Sequence, residues 1–187
     1  PTGVGKTSLV KYLAGLTSHN FRRFNLNGQT DKTEFIGGYK PDGNGSFVWV
    51  DGDLLRAMQE GWWFVLDEIN LAESQVLERL NSLLDARYFR VTEHDNEEYI
   101  RAEEYVEKLR NLADEIQEKR KISRQEAEEE ARILLDKAGK IRIDPEFRLF
   151  ATMNPAEYAG RKILSPALMN RFRVKWIRKE TYKGQVP

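Results

Sequence analysis

The sequence predicts a three-layer α/β domain, a parallel sheet with helices on both faces, carrying an inserted antiparallel helical hairpin. Three observations predict it. Short apolar strands alternate with helical stretches along most of the chain, as in sheets whose strands are joined by crossover helices. Trp62-Trp63-Phe64-Val65-Leu66 is an unbroken apolar run, which suits a strand covered on both faces. Between Glu93 and Gly139 the pattern gives way to long charged helices with heptad spacing.

Thr7 to Leu16 reads as a helix with Leu9, Val10, Tyr12 and Leu13 on its apolar side and Gly15 near its end. Phe21 to Leu26 reads as a strand. Gly37-Gly38 and Pro41-Asp42-Gly43-Asn44-Gly45 are turn chemistry, and with the β-rich Phe47-Val48-Trp49-Val50 they predict a hairpin, then a helix near Asp53–Gln59. After the Trp62–Leu66 strand, Val76, Leu77, Leu80, Leu83 and Leu84 recur at helical spacing. Tyr88 to Val91 is a strand.

In the charged segment Ala102, Val106, Leu109, Ala113 and Ile116 form one seam, predicting a first arm of about 22 residues. Ser123 with Glu126 is a capping box opening a second helix, with Ala127, Ala131, Leu134 and Ala138 as its seam and Gly139 as its C-cap. Ile141–Ile143 and Phe147–Met153 are strands. A helix near Pro166–Asn170 and a strand near Val174–Ile177 close the chain.

Charge separates the same segment. Lys+Arg and Asp+Glu both number 30 in the 187 residues, so no global field points to nucleic acid or a membrane surface. Glu93 to Gly139 nevertheless holds 15 acidic and 9 basic side chains, a net of −6 that the rest balances. The expected divisions are a first core part over 1–92, the helical hairpin over 93–140 and a second core part over 141–187. Cysteine is absent, which excludes disulfides and leaves the compartment open. His19 and His94 are far apart in sequence, and no apolar run approaches the ~20 residues of a membrane span. Pro1 opens within a motif, so the expectation is a piece of a longer chain.

That motif carries the first chemistry. Gly3-Val4-Gly5-Lys6-Thr7, running into Ser8 and a helix, matches the end of a phosphate-binding loop, G-x-x-x-x-G-K-[ST], whose first glycine would precede Pro1. Glycines let the backbone curl so that amides point at phosphate oxygens, at the positive end of the helix dipole. Lys6 would reach the β- and γ-phosphates, and the Thr7 hydroxyl would hold Mg²⁺. Asp67-Glu68 ends an apolar strand, where ligands bind in open α/β sheets. Asp67 suits the surroundings of Mg²⁺ and Glu68 suits a general base for the attacking water. Asn154 ends a second apolar strand, where a neutral amide can orient that water. Arg171, in Ser165-Pro166-Ala167-Leu168-Met169-Asn170-Arg171-Phe172, suits a finger that reaches a neighbouring subunit's γ-phosphate.

With these residues the chain resembles the AAA+ superfamily of P-loop NTPases, in its MoxR, midasin and dynein-related branch. The resemblance is carried by Asn25-Leu26-Asn27, Ile36-Gly37-Gly38-Tyr39, Gly61 through Leu71, Phe147 through Pro155 and Ser165 through Phe172, in that order. It implies Walker A at Lys6 and Thr7, Walker B at Asp67 and Glu68, sensor 1 at Asn154, and a trans-acting finger at Arg171 in preference to Arg173. It also implies a polar switch at Asn27 that holds Glu68. Gly37–Val50 resembles the helix-2 insert of the branch, and Tyr88–Val91 with Ile141–Ile143 its pre-sensor hairpin, with the charged helices at the hairpin's tip. The strand before the loop, the first loop glycine and the C-terminal lid of the family fall outside this sequence.

The implied function is ATP binding and hydrolysis, with ATP and Mg²⁺ as ligands, in a self-assembled ring, six-membered in the family, that remodels a protein or ribonucleoprotein client. A cytoplasmic location is expected, without membrane association or direct nucleic-acid binding. Two alternatives stay open: a nucleotide-dependent assembly switch that hydrolyses slowly, and a GTP-using nucleic-acid translocase subunit.

Overall fold

The computed structural model describes residues 5–27, 32–154 and 161–177. Its central sheet has three parallel strands in the order β1-β4-β8: β1 (Phe21–Asn25), β4 (Trp63–Asp67) and β8 (Arg148–Ala151). The central strand is the apolar run of the sequence. Phe64 and Leu66 point into the main apolar cluster, whereas Val65, one residue out of phase, points to the opposite face and is equally buried. Both faces of β4 are therefore covered, as a parallel sheet requires. Helix α1 (Lys6–Leu16) packs on β1 and β4, and α3 (Asp53–Glu60) packs on the same two strands. Leu54, Leu55, Ala57 and Met58 of α3 are fully buried, and Val76, Leu80 and Leu83 of α4 (Ser74–Ala86) extend that cluster.

The apolar side expected for α1 does not become core. Ala14 is its one buried residue, while Leu9, Tyr12, Leu13 and Leu16 are exposed among the described residues. The strand expected at Val174–Ile177 is also not formed. Val174 and Trp176 lie exposed there, and a strand without a pairing neighbour has nothing to satisfy its backbone.

A short helix, α2 (Lys32–Phe35), leads into the hairpin of β2 (Gly37–Pro41) and β3 (Phe47–Asp51). The hairpin returns through Gly52, whose N–H donates to the Ile36 carbonyl at 2.6 Å. A third sheet holds β5 (Phe89–Val91), β6 (Glu97–Ile100) and β7 (Lys140–Arg142). Here the structure corrects an expectation. The strands before and after the charged helices do not pair with each other; β6 lies between them, antiparallel to β5 and parallel to β7. The segment over 93–140 thus opens with a strand whose Tyr99 and Ile100 are buried. Its two leading glutamates disguise it, because Glu97 and Glu98 pair with His94 and Lys140 at the sheet's margin.

A parallel β6–β7 pair needs a long crossover. It is supplied by α5 (Ala102–Arg120) and α6 (Arg124–Lys137), joined by three residues and packed antiparallel. At 1.5 Å per residue the arms differ by about 8 Å, which returns the chain towards the start of β7. Ala113, Ile116, Ala127 and Ala131 form their distal contact, and Tyr105, Leu135 and Ile100 the base. Val106 and Leu134, expected in the seams, are exposed, and Tyr105 and Leu135, one residue away, take the inward positions. The Ser123–Glu126 capping box is formed. Across the sheets, the His94 ring stacks on Trp49 at 4.6 Å, joining the β2–β3 hairpin to the turn between β5 and β6. The last helix, α7 (Pro166–Asn170), is capped by the Ser165 hydroxyl.

Candidate nucleotide site

Four polar side chains are buried among the described residues: Asp67, Asn70, Thr152 and Asn154. All four lie where β4 and β8 end, beside the first turn of α1. The register explains the convergence. Leu66 pairs with Ala151, so the next residues of both strands leave the sheet at the same edge. The ladder continues past that edge: Thr152 donates its N–H to the Leu66 carbonyl, and Ile69 donates to the Thr152 carbonyl at 2.9 Å. Glu68 is thereby held in a left-handed conformation, φ 57 and ψ 46, uncommon for a residue with a side chain. A 3₁₀ turn over Ile69–Leu71 follows. The Glu68 N–H donates to the Thr152 hydroxyl at 3.3 Å, and the Asn70 amide donates to the Asn154 carbonyl at 2.9 Å.

From α1, Lys6 Nζ donates to Asn154 Oδ1 at 2.5 Å, and the Thr7 hydroxyl donates to Asp67 Oδ1 at 3.1 Å. Gly5 caps the helix at φ 77, in the left-handed region that glycine takes without strain, and no side chain caps the helix there. The first-turn amides therefore face the same edge with the positive end of the helix dipole. Asp67 also accepts from the Thr152 hydroxyl on Oδ1 and from Arg23 on Oδ2. Burial alone would raise the Asp67 carboxyl; the hydrogen bonds from Thr152, Thr7 and Arg23, with the Arg23 charge, outweigh it and hold the group below its ordinary value. Both Glu68 oxygens are engaged. Asn154 donates its amide to Oε1, and Arg161 donates Nε and Nη2 to Oε2, both at 3.1 Å.

The structure thus brings Lys6, Thr7, Asp67, Glu68 and Asn154 into one hydrogen-bonded cluster. Ser8 lies exposed on α1. Gly3 and Val4 lie outside the described residues. Arg171 is not in the cluster. Its Nη2 pairs with Asp85 of α4 at 2.7 Å and its Nη1 donates to the Ala167 carbonyl, while its Nε is buried without a hydrogen bond. Arg173 is exposed, and so is Asn27, just beyond β1. Sequence reasoning missed Thr152, Arg23, Asn70 and Arg161. For Thr152 a signal existed: it is the polar residue in an otherwise apolar strand end, two before Asn154 and so on its side of the chain. Nothing in the local sequence marks Arg23 or Arg161.

The donor set fits a hard divalent cation. A hydroxyl and a carboxylate at a helix N-terminus leave further positions to phosphate oxygens and water, as Mg²⁺ prefers. No group of three or more His, Cys, Asp or Glu side chains able to hold a metal on its own occurs among the described residues. A groove of about 450 Å³ lies elsewhere, lined by residues of α4 and β5 such as Gln75, Arg79 and Phe89, and contains none of these side chains.

A lysine and a threonine at a helix start, with an acidic pair and an amide at the neighbouring strand ends, are the arrangement expected of an AAA-type domain. The family comparison agrees: the AAA domain of the dynein-related subfamily matches residues 1–172, and the chain belongs to that family. It is similar to midasin of Dictyostelium discoideum, 39% identical over 173 residues, covering 92% of this chain and 2% of that protein. Midasin of Giardia intestinalis is 36% identical over 173 residues, covering 91% of this chain and 3% of its own length. The chain therefore spans a few hundredths of the length of these two relatives. Among solved structures, that of a "putative ATPase" from Cytophaga hutchinsonii shares the fold, with a TM-score of 0.54 at 18% identity, over 95% of this chain and 40% of that one. No helix among the described residues is long and apolar enough to cross a membrane.

Proposed function

We propose that this domain binds ATP with Mg²⁺ and hydrolyses it. The observation that carries the reading is the single cluster of Lys6, Thr7, Asp67, Glu68 and Asn154 at one sheet edge. Lys6 and the amides after Gly5 hold the phosphates. Thr7, with Asp67 behind it, would hold Mg²⁺, which when bound would supply positive charge to offset that of the phosphates. Glu68 accepts a proton from the attacking water, and the Asn154 amide, already on Glu68, fixes that water's direction. Arg171, absent from its own site, acts on the γ-phosphate of a neighbouring subunit, so activity belongs to an assembled ring of the longer protein. Turnover there drives remodelling of a protein or ribonucleoprotein client, and the α5–α6 pair is an arm towards that client or a regulator.

Glu68→Gln in the full-length protein is expected to leave ATP affinity within about two-fold and to lower the turnover number by at least about 100-fold. Equilibrium binding of a fluorescent ATP analogue and steady-state phosphate release measure the two quantities. Turnover by the variant near the wild-type rate would remove Glu68 as the base.

A further inference from the structure

Beyond the last registered pair of β4 and β8, Leu66 with Ala151, the next residues of the two strands are Asp67 and Thr152. Every polar group of Thr152 is spent on the stretch that carries Asp67. Its N–H donates to the Leu66 carbonyl at 2.8 Å, and its carbonyl accepts from the Ile69 N–H at 2.9 Å. Its hydroxyl donates its single proton to Asp67 Oδ1 and accepts from the Glu68 N–H at 3.3 Å. Chemistry fixes the direction of the first of these, because an ionised carboxylate can only accept. Asp67 and Thr152 are each 7% exposed, so water is not at hand to replace a lost contact. We infer that Thr152 is a positioning residue for the metal side of the site, its hydroxyl fixing the Asp67 carboxylate behind Thr7. This rests on the reading of Thr7 and Asp67 as the Mg²⁺ side.

Three side chains donate to Asp67, and they differ in how firmly they are held. Arg23 meets Oδ2 from β1, but its side chain is 54% exposed. Thr7 meets Oδ1 at 3.1 Å from the first turn of α1 and is half-buried. Thr152 is the buried one of the three. Thr7 gives its one hydroxyl proton to Oδ1, which leaves the lone pairs of its oxygen for a metal. That division needs an acceptor that stays in place, and Thr152 holds it from the far side. Without the Thr152 hydroxyl the carboxylate is free to turn, and the Thr7 oxygen loses its fixed orientation. The loss falls on the metal-dependent part of nucleotide binding. The phosphate contacts proposed for Lys6 and the first-turn amides are untouched. A residue with a merely structural role would weaken both parts together.

The test uses the full-length protein. A fluorescent ATP analogue is bound at equilibrium, once with Mg²⁺ and once with EDTA, and turnover is read by phosphate release. Thr152→Val keeps the shape of the side chain and removes the hydroxyl. It is expected to weaken binding in Mg²⁺ and to lower the turnover number, each by roughly ten-fold, and to leave binding in EDTA within about two-fold. Thr152→Ser keeps the hydroxyl and is expected within about three-fold of wild type in all three quantities. Thr152→Ala decides the matter should the valine variant not fold. Unchanged binding in Mg²⁺, an equal loss with and without the metal, or a serine variant no better than valine overturns the inference. If wild type gains nothing from Mg²⁺, or Glu68→Gln turns over normally, the proposed function fails as well. If those controls behave and only the Thr152 variants do not, the positioning role alone is wrong.

Discussion

Asp67 shows how much of this site is settled by single side chains. It is buried at the end of β4, yet three donors converge on it: Thr7 from α1, Thr152 from β8 and Arg23 from β1. Burial pushes its carboxyl up and the donors push it further down, so the net shift is downward from 3.8. A group lowered in the folded chain stabilises the fold while ionised in both states. That contribution is complete above the ordinary value and fades as pH falls through the lower folded one. Asp67→Asn removes the charge that answers Arg23 and is expected to cost about 1–2 kcal/mol near neutral pH, reduced because Arg23 is half exposed. Urea unfolding of the two proteins from about pH 7 to about pH 3 should show that difference shrinking below about pH 4. A gap independent of pH would mean that Asp67 stabilises through shape alone.

Among the elements, the join between the β2–β3 hairpin and α3 is the least forgiving. Gly52 sits against the chain it returns to, and a Cβ there would lie 2.5 Å from the Ile36 carbonyl carbon, 2.6 Å from that of Phe35 and 2.7 Å from the Glu34 carbonyl oxygen. All three are backbone atoms and cannot rotate away. Gly52→Ala is therefore expected to destabilise by about 3 kcal/mol or more, by forcing the hairpin from the loop before it. Thermal unfolding measures the loss; a variant within about 0.5 kcal/mol of wild type would show that the return is looser than described. The α5–α6 pair is close for the opposite reason. Its contact is built from Ala113, Ala127 and Ala131, small residues that let two helices approach.

At the scale of the whole molecule, the helical pair forms its own small clusters, apart from the main one around the central sheet. Replacing residues 113–131 with a short glycine-rich turn leaves Tyr105, Leu109, Leu112 and Leu135 at the base and removes only the distal contact. The main unfolding midpoint should then move by less than about 4 °C and ATP affinity should not change. Scanning calorimetry and nucleotide binding check both, and a collapse of either would show that the arm supports the site. Loss of client remodelling with ATP turnover intact would support the arm reading. The excision must begin after β6, because cutting at Glu93 would remove the middle strand of the third sheet.

The residues that the structure gathers at the sheet edge, and that are proposed to meet phosphate and water, were readable before any fold, because each sits in a short motif whose pattern is local: a glycine ahead of a lysine and threonine, an acidic pair after an apolar run, an amide at a strand end. The strands β1, β4 and β8 and helices α1, α3 and α4 were readable for the same reason, since apolar period is a property of neighbours in sequence. The middle strand β6, the exposed apolar side of α1, the shifted seams of α5 and α6, and the partners Thr152, Arg23 and Arg161 were not. Each depends on which distant segment arrives alongside. Arg161 stands 93 positions from Glu68, and no local pattern encodes a hydrogen bond across that separation. Short-range spacing writes the chemistry, and long-range packing chooses the side chains that hold it in place.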